Sequence, residues 1–268
     1  MSAAATAGAE TESGVPSLAV EGFRATIRLN RPRHMNRIQP EDIPVLLRLL
    51  DEVDSNRSVR VLVLTGRGRA FSAGYHLGDL AEQAEGGGSD GGVPSFEALT
   101  NRLEGCRVPT ICRLNGGVYG GSTDLALACD FRIGHADIEM FMPAGRLGVH
   151  YYEAGMRRYV SRLGLNAAKR LFLTAERIGA AEMLRIGYLT EVAPPEELDA
   201  RVDALADRIA ELAPLAVQGI KRALDEIARG GLDVAMLEAR QAACQESEDL
   251  KEGLRAFKEK RKPVFQGR

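Results

Sequence analysis

Gly120, Gly121 and Asp124 are the residues of this chain best spaced to do chemistry together. They lie in Asn115-Gly-Gly-Val-Tyr-Gly-Gly-Ser-Thr-Asp-Leu-Ala-Leu-Ala-Cys-Asp130. The preceding Pro109-Thr-Ile-Cys-Arg-Leu114 is short, β-branched and apolar, the pattern of a buried strand. Leu125, Ala126, Leu127 and Ala128 are strong helix formers, which predicts a helix beginning near Tyr119 or Gly120. A strand that turns through glycines into a helix aims backbone N–H groups, and the positive end of the helix dipole, at whatever lies before it. With no Cβ at 120 or 121, a ligand can approach the main chain closely. A backbone donor followed one turn later by a carboxylate suits holding an oxyanion and moving a proton beside it. The turn lacks the lysine and spacing of a P-loop, and there is no Gly-x-Gly-x-x-Gly. Taken alone, it fits a tight turn as well as a site.

The flanking elements that must hold this turn follow a regular order. Ser17 to Glu21 and Phe23 to Leu29 read as two strands about a Glu-Gly turn. Pro40 opens a helix carrying Ile43, Leu46, Leu47 and Leu50 at helical spacing. Val61 to Thr65 is a second buried strand, followed by a loop at 66–80. A glycine-rich stretch, Ala84 to Val93, reads as a mobile loop. Glu97 to Cys106 suits a helix, and Asp130 to His135 and Ile138 to Met142 suit strands. From Gly164 onward the pattern is helical almost to the end, with breaks at Gly179, Gly187, Pro194-Pro195, Pro214 and Gly230-Gly231.

Phe71-Ser-Ala-Gly74 and Asn115-Gly-x-x-x-Gly-Gly121, at their separation, resemble the crotonase (enoyl-CoA hydratase/isomerase) superfamily. The resemblance runs from Ile27-Arg-Leu-Asn-Arg-Pro32 to Phe257-Lys-Glu-Lys-Arg-Lys-Pro263. It implies an α/β fold, with a spiral of ββα units over 17–193 and a helical trimerisation region over 194–268; residues 1–16, small and polar with no basic start or apolar centre, read as a flexible tail. It further implies an acyl-CoA thioester substrate, no cofactor beyond the CoA the substrate carries, no metal, and a homotrimer or dimer of trimers. In such enzymes two backbone N–H groups hold the thioester oxygen as it becomes an enolate; carried over, they belong to Tyr75 and Gly121. Ala73, His76 and Leu77 would contact the substrate. Arg33 and His34 stand where the family grips the nucleotide end of CoA, and Phe257 and Lys260 where it reaches the CoA of a neighbouring subunit. Without the family, Arg33 and His34 are solvated loop residues and the basic C-terminus is a helix end favourable to the dipole.

Two departures bear on the reaction. Hydratases of this family use two glutamates; the first position here is Asp124 and the second, in Phe141-Met-Pro-Ala-Gly-Arg-Leu-Gly148, is Ala144. An alanine transfers no proton. The next loop, His150-Tyr-Tyr-Glu-Ala-Gly-Met156, carries four functional side chains in succession. Three assignments stand. Asp124 and Glu153 form a relocated acid/base pair. Alternatively Tyr151 matters most, since Leu147-Gly-Val-His-Tyr151 is similar to methylmalonyl-CoA decarboxylase. In the third, His150 to Tyr152 fill space and Glu153 caps the following helix. A non-catalytic acyl-CoA binder is the alternative from another class.

Bulk properties narrow the field. A chain of 268 residues can bury a substantial core. Its 35 Lys and Arg against 37 Asp and Glu give no field favouring nucleic acid or a membrane. No apolar run approaches a membrane span. The four cysteines show no metal or CxxC spacing, so reduced thiols in a cytoplasmic protein are expected.

Overall fold

In the computed structural model the described residues are 14–75 and 94–268. All but the end of the expected tail, and the whole expected loop at 84–93, lie outside them. The chain opens on a hairpin, β1 (Ser17–Glu21) and β2 (Arg24–Leu29), turned by Gly22 at φ 60°. Helix α1 (Asp42–Ser55) follows and buries Ile43, Leu46, Leu49, Leu50 and Val53, one face at helical spacing.

From there, each excursion lays one strand in each of two sheets. Strand β3 (Val61–Gly66) leads into β4 (Ala70–Ser72), β5 (Thr110–Leu114) into β6 (Gly117–Tyr119), and β7 (Phe131–His135) into β8 (Glu139–Phe141). Helix α2 (Phe96–Glu104) and helix α3 (Gly121–Leu127) separate these strand pairs. With β9 (Arg177–Gly179) and β10 (Glu191–Ala193), the first sheet runs β1-β2-β3-β5-β7-β10 and the second β4-β6-β8-β9. Pairing is parallel except at β1/β2 and β8/β9. This is the expected spiral of ββα units.

Strand alternation splits the core. Leu62, Leu64, Cys112 and Leu114 face the larger core shared with the second sheet and α1. Val61, Val63, Ile111 and Ile133 face outward and are covered by α7 (Leu198–Ala210) through Leu198, Val202, Ala206 and Ile209. In chain order, helices α4 (Glu153–Leu163), α5 (Leu165–Thr174) and α6 (Ala180–Arg185) come between β8 and α7. Helices α8 (Pro214–Ala228), α9 (Val234–Glu246) and α10 (Glu248–Glu259) complete the chain.

Three expectations need correcting. The glycine turn does not pass straight from strand to helix, because Gly117–Tyr119 first pairs with β4 and β8. The loop at 66–80 contains strand β4. The helical reading after Gly164 misses β9 (Arg177–Gly179) and β10 (Glu191–Ala193). Each of these strands is three residues long, too short for period-two alternation to register.

Candidate active site

Two asparagines fasten the loop that carries the first motif. Asn36, buried and at φ 51°, donates its amide to the carbonyls of Arg67 and Ala70, each at 2.8 Å. Asn115 donates to the carbonyls of Gly68 at 2.7 Å and Ala70 at 3.1 Å, and accepts the Gly66 N–H at 3.0 Å. Ser122, inside the second motif, places its hydroxyl 2.8 Å from the Ser72 carbonyl and 2.7 Å from that of Tyr119. Thus the two motifs, fifty residues apart, are joined by the buried Ser122 hydroxyl donating to the Ser72 carbonyl.

The glycines are there for contact. Gly74 has φ 89°, and a Cβ on it would lie 2.8 Å from the Gly121 nitrogen and 2.6 Å from the Tyr119 carbonyl. Gly120 has φ 55° and ψ −134°, a backbone open to glycine alone. A Cβ on Gly121 would sit 3.6 Å from the Tyr75 nitrogen and 3.1 Å from the Phe96 ring. Backbone nitrogens of Tyr75 and Gly121 are therefore neighbours. Gly121 is the first residue of α3, so no carbonyl within the helix can receive its N–H.

Both residues line a cavity of about 720 Å³. Its walls include Met35 from the end of the 3₁₀ turn at 32–34, Ala73 from the first motif, Phe96 and Glu97 from α2, and Tyr119, Phe141 and Arg177 from the second sheet. Ala144, Val149, His150, Tyr151 and Tyr152 close another side. The Tyr151 and Tyr152 rings stack at 4.3 Å, with Tyr151 also against Phe172. The Tyr151 hydroxyl donates to that of Tyr152 at 3.2 Å, and Tyr152 donates to Asp124 Oδ2 at 2.5 Å. Burial, and then the charge of Asp124, push both phenols above their ordinary value. Each is neutral near pH 7 and keeps its proton.

Asp124 itself is fully buried and lies behind the cavity wall. Its Oδ2 accepts Arg158 Nη1 at 2.6 Å as well as Tyr152. Arg158 also reaches Glu104 and Asn101, and Glu104 is met by Arg162 and Arg229. Burial raises the Glu104 carboxyl, but Arg158, Arg162 and Arg229 outweigh it and hold the group below the usual carboxylate range. Among the described residues, Asp124 Oδ1 has no hydrogen-bond partner.

The cavity brings together Ala73, Tyr75, Gly121 and Tyr151 of the residues singled out in the sequence. It corrects two. Asp124 does not open into the cavity, because a side chain one methylene shorter than glutamate ends on Arg158 and the Tyr152 hydroxyl. Glu153 projects from the start of α4 into a separate surface depression, where it pairs with Arg157, and does not line the cavity. The relocated Asp124–Glu153 pair does not form. Arg33 and His34 lie in an exposed 3₁₀ turn, with Met35 beside them on the cavity wall. Phe257 and Lys260 are exposed at the end of α10, off this chain's own cavity. His76 and Leu77 lie outside the described residues.

Glu97 and Arg158 escaped the sequence reading. Among the described residues, Glu97 is the one carboxylate lining the cavity. No local spacing announces either, since Arg158 meets Asp124 across 34 residues. The available signal was that a buried aspartate needs a cation.

Spiralled ββα units with two convergent backbone donors over a deep, mostly apolar cavity define an acyl-transfer or enolate-forming class of site. Residues 23–268 match the enoyl-CoA hydratase/isomerase family. The chain is 34% identical over 256 residues to a putative enoyl-CoA hydratase of Thermus thermophilus, covering 91% of this chain and 98% of that one. It is 31% identical over 245 residues to the short-chain-enoyl-CoA hydratase of Clostridium acetobutylicum, covering 90% and 94%. The crystal structure of an enoyl-CoA hydratase from Bacillus anthracis superposes with a TM-score of 0.85 at 30% identity, covering 94% of this chain and 99% of that one. The chain belongs to the enoyl-CoA hydratase/isomerase family, and is an enzyme acting on acyl-CoA.

Proposed function

We propose that this enzyme forms the enolate of an acyl-CoA thioester in the Tyr75 and Gly121 N–H pair and moves a proton on it without adding water. The observation that carries the reading is the composition of the cavity wall. Ala144, which the resemblance sets in place of the second hydratase glutamate, lines the cavity. Asp124 and Glu153 are both off the wall. Water addition needs one group to activate water and another to protonate the α-carbon, whereas a proton shift needs only one. CoA enters as part of the substrate, with Arg33 and His34 in the exposed turn beside Met35 of the cavity wall. A second reading, decarboxylation, is favoured by the neutral Tyr151 phenol, which can protonate an enolate left by departing CO₂.

The test compares two four-carbon thioesters. The protein is expected to isomerise 3-butenoyl-CoA to crotonyl-CoA and to hydrate crotonyl-CoA at least about 10²-fold more slowly. Asp124→Glu combined with Ala144→Glu is expected to raise hydration. Rapid hydration by the unaltered protein contradicts the reading.

We propose further that the enzyme is a homotrimer or dimer of trimers and works in the cytoplasm. Ile220, Leu224 and Ile227 on α8, and Leu250, Leu254 and Phe257 on α10, are exposed large apolar residues. A neighbouring copy of the chain would cover such side chains. Light scattering is expected to return a trimer or hexamer mass; a clean monomer at micromolar concentration contradicts it. Among the described residues no helix is long and apolar enough to cross a membrane.

A further inference from the structure

The geometry points to Asp124 acting as a base at a distance, through the hydroxyls of Tyr152 and Tyr151. This rests on the enolate reading above and adds to it the path of the proton. The donors already run in the required order, Tyr151 to Tyr152 to Asp124 Oδ2, at 3.2 and 2.5 Å. Thr100 Oγ1 stands 3.4 Å from the Tyr152 hydroxyl, but its own hydroxyl lies 3.0 Å from the Glu97 carbonyl, so Tyr152 keeps Asp124 as its acceptor.

Two features go beyond a structural ion pair. A buried carboxylate placed only to hold Arg158 is expected to have both oxygens satisfied, yet Oδ1 has no partner among the described residues. The tyrosine stack also sits where a side chain has been left out. A Cβ on Gly155 would lie 2.4 Å from Tyr151 Cε1 and 2.8 Å from Tyr152 Cε2, inside contact distance for both rings. Gly155 lies within α4, where alanine is otherwise preferred by about 1 kcal/mol.

The step balances. The α-C–H bond breaks, its electron pair enters the enolate, and the negative charge settles on the thioester oxygen under the two N–H groups. The proton bonds to Tyr151 Oη as the Tyr151 proton passes to Tyr152 and the Tyr152 proton passes to Asp124. Asp124 ends as a neutral acid, and no phenolate forms in a concerted passage. Reversal delivers a proton to the α- or γ-carbon, which completes the shift. Tyr151 is the catalytic residue of this set; Tyr152, Asp124 and Gly155 act through it.

The experiment follows isomerisation of 3-butenoyl-CoA in the full-length enzyme and in Tyr151→Phe, Tyr152→Phe, Asp124→Asn and Gly155→Ala. Each variant is expected to lose about 10²-fold in kcat, with the Kd for butyryl-CoA within about threefold. Tyr152→Phe combined with Asp124→Asn is expected to be no slower than the slower single change, because the groups act as a unit. On the unmodified enzyme, rates in mixtures of H₂O and D₂O are expected to curve, as several protons in flight require; this needs no variant to fold. A linear dependence, Tyr152→Phe within about threefold of wild type, or loss of activity in Glu97→Gln alone overturns the relay and leaves the enolate reading standing. An unmodified enzyme that isomerises nothing and binds no butyryl-CoA overturns both.

Discussion

Gly121→Pro is expected to lower kcat for any enolate-forming acyl-CoA reaction of this protein by about 10²- to 10³-fold. The change removes one of two oxyanion donors, a loss of about 3 to 4 kcal/mol. At about 1.4 kcal/mol per tenfold, that alone accounts for the range. Elsewhere in a helix proline costs about 3 kcal/mol of stability, but Gly121 is the first residue of α3, where proline is tolerated. The loss should therefore fall on activity rather than folding. Gly121→Ala is the control. It keeps the N–H and adds a Cβ 3.1 Å from the Phe96 ring, so Phe96 must give by a few tenths of an ångström. If alanine and proline are equally harmful, crowding explains both and the donor assignment fails; turnover by the proline variant at the wild-type rate excludes it outright.

Arg158→Met is the largest expected effect on stability. It strands Asp124, which is fully buried and already has one oxygen without a partner among the described residues. Breaking a buried pair by removing one partner typically costs about 3–5 kcal/mol, because the remaining charge cannot reach water. A domain of this size has only about 5–15 kcal/mol in total, so the urea midpoint should fall markedly. Adding Asp124→Asn to Arg158→Met should recover part of the loss, since the stranded charge is then gone. Full additivity of the two changes contradicts the pairing.

The same network gives a pH dependence. Glu104 is held below its ordinary range by Arg158, Arg162 and Arg229 against the opposing effect of burial. A depressed carboxyl stabilises the fold fully above the unfolded-state value, and that stability is lost as pH falls through the folded value. Arg158→Met weakens the depression, so this contribution should be smaller and its loss complete at a higher pH. Urea midpoints measured from pH 7 down to pH 3 read this directly, and an unchanged acid limb counts against Glu104 as a contributor.

What the sequence made legible was what is local. The turn at Gly120-Gly121, the strands at 61–65 and 109–114 and the helix after Pro40 each declare themselves by residue type within a few positions. The short strands β4, β6, β9 and β10 exist because a neighbouring strand supplies their hydrogen bonds, which no three-residue pattern reveals. Glu153 falls away from Asp124 for a related reason. Glu153 was read from its place in a row of functional residues, but a helix start points successive side chains in different directions: Tyr151 and Tyr152 face the cavity while Glu153 faces Arg157. Asp124 was found as a carboxylate near the glycines, and its burial depends on Arg158 and Tyr152, which the fold brings from far along the chain.

The central claim is that a thioester enolate forms under the N–H groups of Tyr75 and Gly121. Proton NMR of butyryl-CoA incubated with the enzyme in D₂O tests it without knowledge of the natural acyl group. The account predicts loss of the α-proton signal at an enzyme-dependent rate, with the β and γ signals intact, and about 10²-fold slower loss in Gly121→Pro. An α-proton signal that persists while butyryl-CoA is bound contradicts it.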